Sequence, residues 1–371
     1  MRRTPLAAAL ALALTASGCA LGAGVSPRAN VAAPPTTIAV DADTPRTTTT
    51  TTPAAVTTTT PPTTTTTIAI DEAALRAVGA NEAGRIMVLE YHLIEEPEGR
   101  WARTPANLRR DVQRLVEGGY YPITASDLAR GRIDVPAGKT PVVLTFDDSS
   151  SGQCRYLADG RVDGDSACGI LLQAAQDHPD DWSPAASFYV LLDVDVPDRV
   201  KFGQPEIAEQ KMRDMVSWGM ELGSHSISHF RLDQGDPESI QWQLAVPETY
   251  FESLVPGYEL DTIALPLGMY PEDESLLASG SWEGQEYDHV GALEVSGGPA
   301  PSPHSAEFQP LRIPRIQVVQ ADFDYWMNHF AANPGDRYVS DGDPATVAVP
   351  ASVEFTPRGD LGGLRVVRYE D

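Results

Sequence analysis

Short apolar runs alternate with amphipathic segments through most of the chain beyond residue 70. The runs that predict strands lie at 85–92, 141–146, 186–192, 220–225, 261–266, 289–295 and 311–319. Helices are predicted from Thr104 to the Gly118-Gly119 pair, at 170–176, at 205–218, and from Asp236-Pro237 onwards with a kink at Pro247. Regular alternation of strands and helices predicts an α/β fold with a parallel sheet. Seven or eight such units in about 300 residues favour a distorted parallel (β/α) barrel of about seven strands.

The first 70 residues lack this alternation. Two arginines and an apolar stretch at 5–15, too short to span a bilayer, predict a secretory signal peptide over 1–18. Ala16-Ser17-Gly18 before Cys19 resembles a bacterial lipoprotein cleavage box, with an ordinary signal peptide and a chance cysteine as the alternative. Residues 19–70 are rich in Thr and Pro and predict a disordered tether. We therefore expect an exported domain at 71–371, lipid-anchored to the outer face of the cell membrane or associated with the cell wall.

The net charge limits the possible binding partners, and the cysteine count predicts a disulfide. The formal net charge is −25, which makes nucleic acid and anionic lipid surfaces poor partners. Such acidity suits a neutral or cationic glycan, or serves solubility alone. With Cys19 set aside, Cys154 and Cys168 are an even pair in an exported chain, which predicts a disulfide rather than a metal site. This bond would close the loop that follows Asp147-Asp148.

Two pairs of polar residues follow predicted strands and carry the candidate chemistry. The run at 142–146 ends in Asp147 and Asp148, adjacent carboxylates that repel unless a cation or a proton separates them. A strand followed by a helix cap is the alternative reading of that stretch. His225 and His229 lie four apart after another strand, a spacing that on a helical turn lets both imidazoles share one ion. Two imidazoles and one carboxylate leave an open position on zinc or a similar divalent ion.

These residues also carry a resemblance to a known family. "LTFDDS", "LGSHSISH" and "ALPLGMYP" resemble, in order and spacing, the polysaccharide deacetylase (NodB-homology, carbohydrate esterase) family. The upstream "VLEYH" and "GGYYPITASDLARGRI" resemble its circularly permuted subgroup, the exported poly-N-acetylglucosamine deacetylases. The resemblance implies that Asp148, His225 and His229 bind a divalent metal, with zinc as the first candidate. It also implies that Asp147 is the general base and His92 the general acid, although His92 could instead simply fill the barrel.

The chain departs from the family pattern at two positions. Ser149 replaces the usual glycine after the aspartate pair, and Ala264 stands where many members have an arginine that begins the third motif. Arg312 or Arg315 could supply the missing positive charge, or each could be an ordinary arginine flanking a strand.

The function that follows is a metal-dependent hydrolase that removes acetyl groups from an N-acetylated cell-surface or extracellular polysaccharide. Two alternatives stay open: a non-catalytic carbohydrate-binding lipoprotein on a degenerate deacetylase scaffold, and an O-acetyl esterase of the xylan type. We expect a monomer whose partner is an acetylated glycan. We expect no nucleic-acid partner, and contact with the membrane only through a lipid at Cys19.

Overall fold

The computed structural model describes residues 71–371, so the predicted signal peptide, Cys19 and the tether lie outside the described residues. Within that range, no helix is both long and apolar enough to cross a membrane. The strands are β1 Met87–Tyr91, β2 Leu93–Ile94, β3 Ala102–Arg103, β4 Tyr120–Ile123, β5 Thr140–Phe146, β6 Ser187–Val190, β7 Glu221–Ser224, β8 Thr262–Ala264, β9 Ser279–Trp282, β10 Gln285–Asp288, β11 Gly291–Gly297, β12 Ile313–Gln317, β13 Thr346–Pro350 and β14 Arg365–Tyr369. The α-helices are α1 Glu72–Val78, α2 Pro105–Glu117, α3 Ala125–Arg130, α4 Ala167–Asp177, α5 Ala208–Ser217, α6 Pro237–Leu254, α7 Ser275–Ala278 and α8 Gln320–Ala332.

Seven parallel strands close into a barrel in the order β1, β12, β11, β8, β7, β6 and β5, with β5 pairing back onto β1. Leu89 illustrates the closure, because it lies opposite Ile316 of β12 on one side and Leu144 of β5 on the other. β4 extends the sheet beyond β5 without entering the ring. The predicted distorted parallel (β/α) barrel of about seven strands is confirmed.

Alternation along each strand divides the side chains between two apolar environments. Met87, Leu89 and Tyr91 of β1 belong to a cluster that includes helix residues of α2, α4 and α5, outside the ring. The intervening Val88 joins a cluster with residues of β5, β6, β8, β11 and β12, which fills the barrel. Because both faces are covered, the strands read as nearly continuous apolar runs. Positions two residues apart then share a face, so Glu90 and His92 continue the inward row of Val88.

The end of the barrel where the strands begin is closed by α3 and by a buried carboxyl group, that of Glu221. Ala125, Leu128 and Ala129 of α3 belong to the interior cluster. Glu221 accepts hydrogen bonds from the Ser187 and Thr262 hydroxyls, both at 2.6 Å. These contacts satisfy the Glu221 carboxylate at the end of the barrel where the strands begin.

Several local predictions are confirmed by the caps and cross-links. Thr104 caps α2, its hydroxyl accepting the Asn107 backbone N–H at 3.1 Å, and Pro105 is the first helical residue. The Cys154–Cys168 disulfide is present and buried. The helix predicted at 205–218 begins with a 3-10 turn before α5. Seven strands were missed because they are short or lie after the last predicted strand, namely β2, β3, β4, β9, β10, β13 and β14.

The C-terminal strand pair is attached to the barrel through Glu82, which is 2 % exposed. Its carboxylate accepts hydrogen bonds from the Ala348 N–H of β13 at 2.7 Å and from the Tyr338 hydroxyl at 3.0 Å. Burial, with the nearby Asp341 charge, raises the pKa of Glu82 to about 8 in spite of these donors. The folded state therefore holds a proton that the unfolded chain releases at a much lower pH.

We expect stability to fall as pH rises from about 4.5, the unfolded pKa, through about 8, the folded pKa. Glu82→Gln mimics the protonated side chain and should flatten this decline. The free energy of unfolding of the variant should exceed that of the wild type by near zero at pH 4 and by on the order of 4 kcal/mol at pH 8. Urea unfolding at several pH values measures it, with Glu283→Gln in the exposed β9–β10 turn as the control. Parallel pH profiles for Glu82→Gln and the wild type would contradict the assignment.

Candidate active site

The predicted site residues meet where three strands end at the carboxyl edge of the barrel. His92 follows β1, Asp147 and Asp148 follow β5, and His225 follows β7. His229 comes four residues later, in the same loop as His225. Because parallel strands end on one side, residues up to 137 positions apart in sequence come into one cluster at the carboxyl edge.

Asp148, His225 and His229 form an open set of metal-ligand atoms. The Nε2 atoms of both imidazoles lie 3.6 Å from Asp148 Oδ1. That oxygen is buried and has no hydrogen-bond partner among the described residues. Ligand atoms bonded to one tetrahedral ion at about 2.0–2.2 Å are roughly 3.4 Å apart, so these residues fit a divalent cation.

The neighbours of the three residues prepare them for a cation. The 2.8 Å contact of His225 Nδ1 with the Ala264 carbonyl oxygen places a proton on Nδ1 and directs the Nε2 lone pair at Asp148. Burial, reinforced by His225, lowers the pKa of His229 to about 4, which keeps its imidazole neutral. Before a cation binds, the Asp148 carboxylate raises the pKa of His225 against its burial. Burial opposes ionisation of Asp148, but the hydrogen bond and charge of protonated His225 outweigh it and hold the pKa of that carboxyl below its usual value. A cation would take the place of the proton on His225 Nε2. A deprotonated carboxylate and a neutral imidazole are the forms that bind metal.

The loops that carry these ligands use left-handed backbone rather than a helical turn. The turn over His225–His229 is not helical, because Ser226 and His229 have φ values of 61° and 55°. The two rings still approach to 4.9 Å between centroids. Asp148 and Ser149 are also left-handed, with φ values of 76° and 44°. Such conformations strain residues other than glycine and cluster at functional sites.

Ser149, which stands where the family has glycine, keeps that strained conformation through its hydroxyl. Its Oγ accepts the Leu191 backbone N–H at 3.0 Å and donates to the Arg199 carbonyl oxygen at 2.6 Å. Arg199 in turn places its Nη1 3.1 Å from Asp148 Oδ2. The guanidinium occupies one carboxylate oxygen of Asp148 and leaves Oδ1 facing the two histidines.

Arg315 supplies the positive charge that Ala264 does not. Its guanidinium is fully buried and donates to both oxygens of Asp147, each at 2.8 Å. Its Nη2 also lies 2.7 Å from Glu90 Oε1, so one arginine faces two carboxyl groups. Arg312, the other candidate, lies at the surface and donates to Glu274 at 2.6 Å.

The two carboxyl groups that share Arg315 differ in protonation. Burial disfavours the charge on Asp147, but the paired hydrogen bonds and charge of Arg315 outweigh it, so the pKa of Asp147 lies below its usual value. Burial raises the pKa of Glu90 to about 7 against the pull of Arg315. The 2.7 Å contact of Arg315 Nη2 with Glu90 Oε1 is an ion pair without hydrogen-bond geometry, whereas Asp147 accepts two hydrogen bonds from Arg315. Because of Arg315, Asp147 therefore ionises at a lower pH than Glu90.

His92 lies beside this pair. One ring nitrogen of His92 is within 4.8 Å of carboxylate oxygens of Glu90 and Asp147. The ring is partly buried and packs edge-on against Trp101, with 4.7 Å between centroids. Burial lowers the pKa of His92, and the negative charges of Asp147 and Asp148 oppose that shift. The geometry places His92 next to the predicted base, and its role as general acid stays a prediction.

Sequence reasoning missed Glu90 and Arg199. Glu90 is a charged residue inside an apolar strand two positions before His92, and that spacing was a usable signal because it shares the inward face. Arg199 lies in a 3-10 turn after β6, and nothing in its local sequence indicates that it reaches Asp148.

No family model and no curated protein sequence matches this chain. Its fold is similar to that of several solved structures. The Streptococcus pyogenes deacetylase PplD, determined in complex with acetate, is 19 % identical with a TM-score of 0.48, over 66 % of this chain and 97 % of that one. A polysaccharide deacetylase from Bacillus cereus is 19 % identical with a TM-score of 0.48, over 66 % and 69 %. IcaB from Ammonifex degensii is 16 % identical with a TM-score of 0.46, over 67 % and 98 %.

The Bacillus cereus protein is named as a polysaccharide deacetylase, the family that the sequence motifs resemble, and PplD is named as a deacetylase. At this identity and overlap the likeness concerns the fold. The chemistry of this chain therefore depends on its own residues. The circular permutation of the strands stays a prediction.

Removing the charge of Arg315 should destabilise the fold strongly. Arg315→Met leaves Asp147 and Glu90 buried without a counter-charge, which typically costs about 3–5 kcal/mol. Replacing Glu90 as well, in Glu90→Met/Arg315→Met, should restore part of the loss because one buried carboxyl group disappears. Thermal and urea unfolding measure both variants.

Arg312→Met is the matched control, since that arginine is exposed on the same segment and surface changes usually stay within about 0.5 kcal/mol. Equal stability of Arg315→Met and Arg312→Met would show that the buried charge is not what holds the two carboxyl groups together.

Proposed function

We propose that this protein is a metal-dependent hydrolase that removes acetyl groups from an N-acetylated cell-surface or extracellular polysaccharide. One observation supports it most. An open Asp148, His225 and His229 ligand set lies beside the ionised Asp147 and beside His92, at the mouth of a closed barrel. Hydrolysis of an amide needs an electrophilic centre for the acyl oxygen, a base for water and a proton for the amine, and this arrangement offers a group for each.

Zinc is the proposed metal, because two imidazole nitrogens and one carboxylate oxygen with an open position are a usual set for catalytic zinc. A divalent ion held by these three residues would supply a Lewis acid for the acyl carbonyl. Arg199 orients Asp148 for that task, and the Ala264 carbonyl orients His225.

The proton transfers fall to Asp147 and His92. Asp147 would take a proton from the attacking water, using lone pairs that its two hydrogen bonds from Arg315 leave free. His92 would give a proton to the departing amine, so that acetate and a free amino sugar result. A lowered pKa makes the imidazolium of His92 a stronger acid, and the two aspartate charges favour the protonated form that the step requires.

The substrate class and the location are supported by the N-terminal sequence and the charge. A signal peptide, a lipid at Cys19 and a Thr/Pro-rich tether would hold the domain near surface glycans. The strongly acidic chain would disfavour nucleic acid as a partner. We propose a monomer whose only contact with the membrane is the lipid at Cys19.

One divalent ion should bind per chain, with zinc preferred. His225→Ala/His229→Ala removes two of three ligand groups and should abolish stoichiometric binding, measured by calorimetric titration and elemental analysis. His178→Ala, on an exposed residue after α4, is the control and should bind as the wild type does. Full occupancy in the double variant would place the metal elsewhere.

Asp147→Asn should retain the metal and lose turnover by about 10²- to 10⁴-fold, the usual contribution of a general base. His92→Ala should also keep the metal and lose turnover. Asp148→Asn should lose both metal and turnover. Acetate release from a panel of N-acetylated and O-acetylated glycans, with and without chelator, measures these effects, and exposed Asp195→Asn is the control.

Near-normal rates for metal-loaded Asp147→Asn would refute its role as base. Chelator-sensitive release from O-acetylated substrates alone would identify an O-acetyl esterase. Glycan binding without any release of acetate would identify the binding module.

A further inference from the structure

Gln153 bridges the two strand ends that carry His92 and Asp147. Its side chain is fully buried in the loop after β5. Its amide nitrogen donates to the His92 carbonyl oxygen at 2.8 Å and to the Asp147 carbonyl oxygen at 2.5 Å. Two carbonyl oxygens need two N–H donors, so the chemistry itself fixes which way this amide points. The amide therefore ties together the backbones of the proposed acid and the proposed base.

Gln153 is itself held by the loop around it. Gly152 approaches the Ile94 carbonyl so closely that a Cβ there would lie 2.1 Å from the oxygen, which only glycine tolerates. The Gln153 carbonyl accepts the Cys168 backbone N–H at 2.9 Å, and the next residue, Cys154, is joined to Cys168 by the disulfide. A covalent bond and a close backbone contact thus fix the position from which Gln153 reaches the strand ends.

Gln243 also contacts the backbone beside the site, next to the histidines. Its main contacts are made by the side-chain oxygen as acceptor, whereas Gln153 uses its side-chain nitrogen as donor. It lies on α6 and is 2 % exposed. Its side-chain oxygen accepts the backbone N–H groups of Ile227 at 2.9 Å and Ser228 at 3.2 Å, both inside the turn between His225 and His229. Its nitrogen donates to the Ser228 hydroxyl at 3.0 Å. Because this turn contains left-handed residues, it depends on such outside hydrogen bonds to keep its shape.

We propose that Gln153 and Gln243 are positioning residues with separate tasks. Gln153 sets the spacing of His92 and Asp147, and Gln243 holds the histidine turn in the shape that binds metal. Neither side chain needs to touch the metal or the substrate to do this, since each acts through backbone groups. The turnover part of the proposal rests on the proposed function, and the metal-binding part does not.

The two positions require opposite hydrogen-bonding groups, which makes them separable. Methionine is close in size to glutamine but neither donates nor accepts strongly, so it should fail at both positions. An ionised glutamate accepts but cannot donate. It should therefore fail at 153, where two carbonyls need donors, and succeed at 243, where two N–H groups need an acceptor. A role limited to filling space would not distinguish the positions in this way.

The experiment compares both substitutions at both positions in the full chain, with exposed Gln173→Met on α4 as the control. Gln153→Met and Gln153→Glu should lower kcat about 10²-fold with KM and the zinc Kd within about twofold of wild type. Gln243→Met should raise the zinc Kd about 10- to 100-fold. Gln243→Glu should bind zinc as the wild type does.

Hydrogen exchange tests the positioning without any substrate. Gln153→Met should speed exchange at least about tenfold in 91–94 and 146–150 and leave 225–230 unchanged, and Gln243→Met should do the reverse. Faster exchange in both segments, or in neither, overturns the proposal, as does loss of zinc in Gln243→Glu. Absence of acetate release from the wild type would contradict the proposed function, and the exchange pattern would still decide the roles of the two glutamines.

Discussion

The guanidinium of Arg315 is enclosed in the barrel between the carboxyl groups of Asp147 and Glu90, and the arrangement of the mouth depends on that charge. Without it, two buried acids would face each other in a medium of low polarity. With it, Asp147 stays ionised at the end of β5, while burial keeps the pKa of Glu90 near 7. The adjacent Asp148 is paired separately, with Arg199 on one oxygen, while its other oxygen faces His225 and His229.

Barrel closure makes this arrangement possible. β1 pairs with both β12 and β5, so the inward rows of three neighbouring strands converge at one height. Glu90, Thr145 and Arg315 lie on those rows above the apolar filling of the interior. In an open sheet with β1 and β5 apart, Arg315 could not reach Asp147 from its own strand. Because every second residue of a strand faces inward, closure of the ring brings the inward polar residues of neighbouring strands together as a layer beneath the site.

The site itself divides into two parts that are held by different elements. The metal-ligand part uses a strained turn after β7, steadied by α6, together with an aspartate oriented by Arg199. The acid–base part uses the ends of β1 and β5, steadied by a loop that the disulfide and Gly152 lock in place. In the metal-ligand part, the left-handed backbone at Asp148 and His229 is costly alone, and buried polar side chains from other elements stabilise it.

Local sequence was sufficient to identify the candidate residues that lie next to each other or closely spaced along the chain. Three pairs are recognisable in the local sequence by their spacing and by their place after apolar runs, namely Asp147 with Asp148, His225 with His229, and Cys154 with Cys168. The barrel was predictable for the same reason, because strand and helix periodicities are properties of short windows. The spacing of four did not indicate the shape of the histidine turn, in which left-handed residues rather than a helical turn bring the two rings together.

The sequence by itself determined the strand–helix alternation, the paired ligands and the disulfide, since each depends on residues within about 20 positions of one another. Only the tertiary structure decided which arginine pairs with Asp147 and that Glu90 lies beside the same arginine. It also decided that Arg199, Gln153 and Gln243 contact the predicted site residues or their loops. Arg315 lies 168 residues from Asp147, and its position in the sequence resembles that of Arg312, which ends at the surface. Closure of the ring turns Arg315 inward. The contacts it makes there depend on which strands become neighbours, and no local pattern records that.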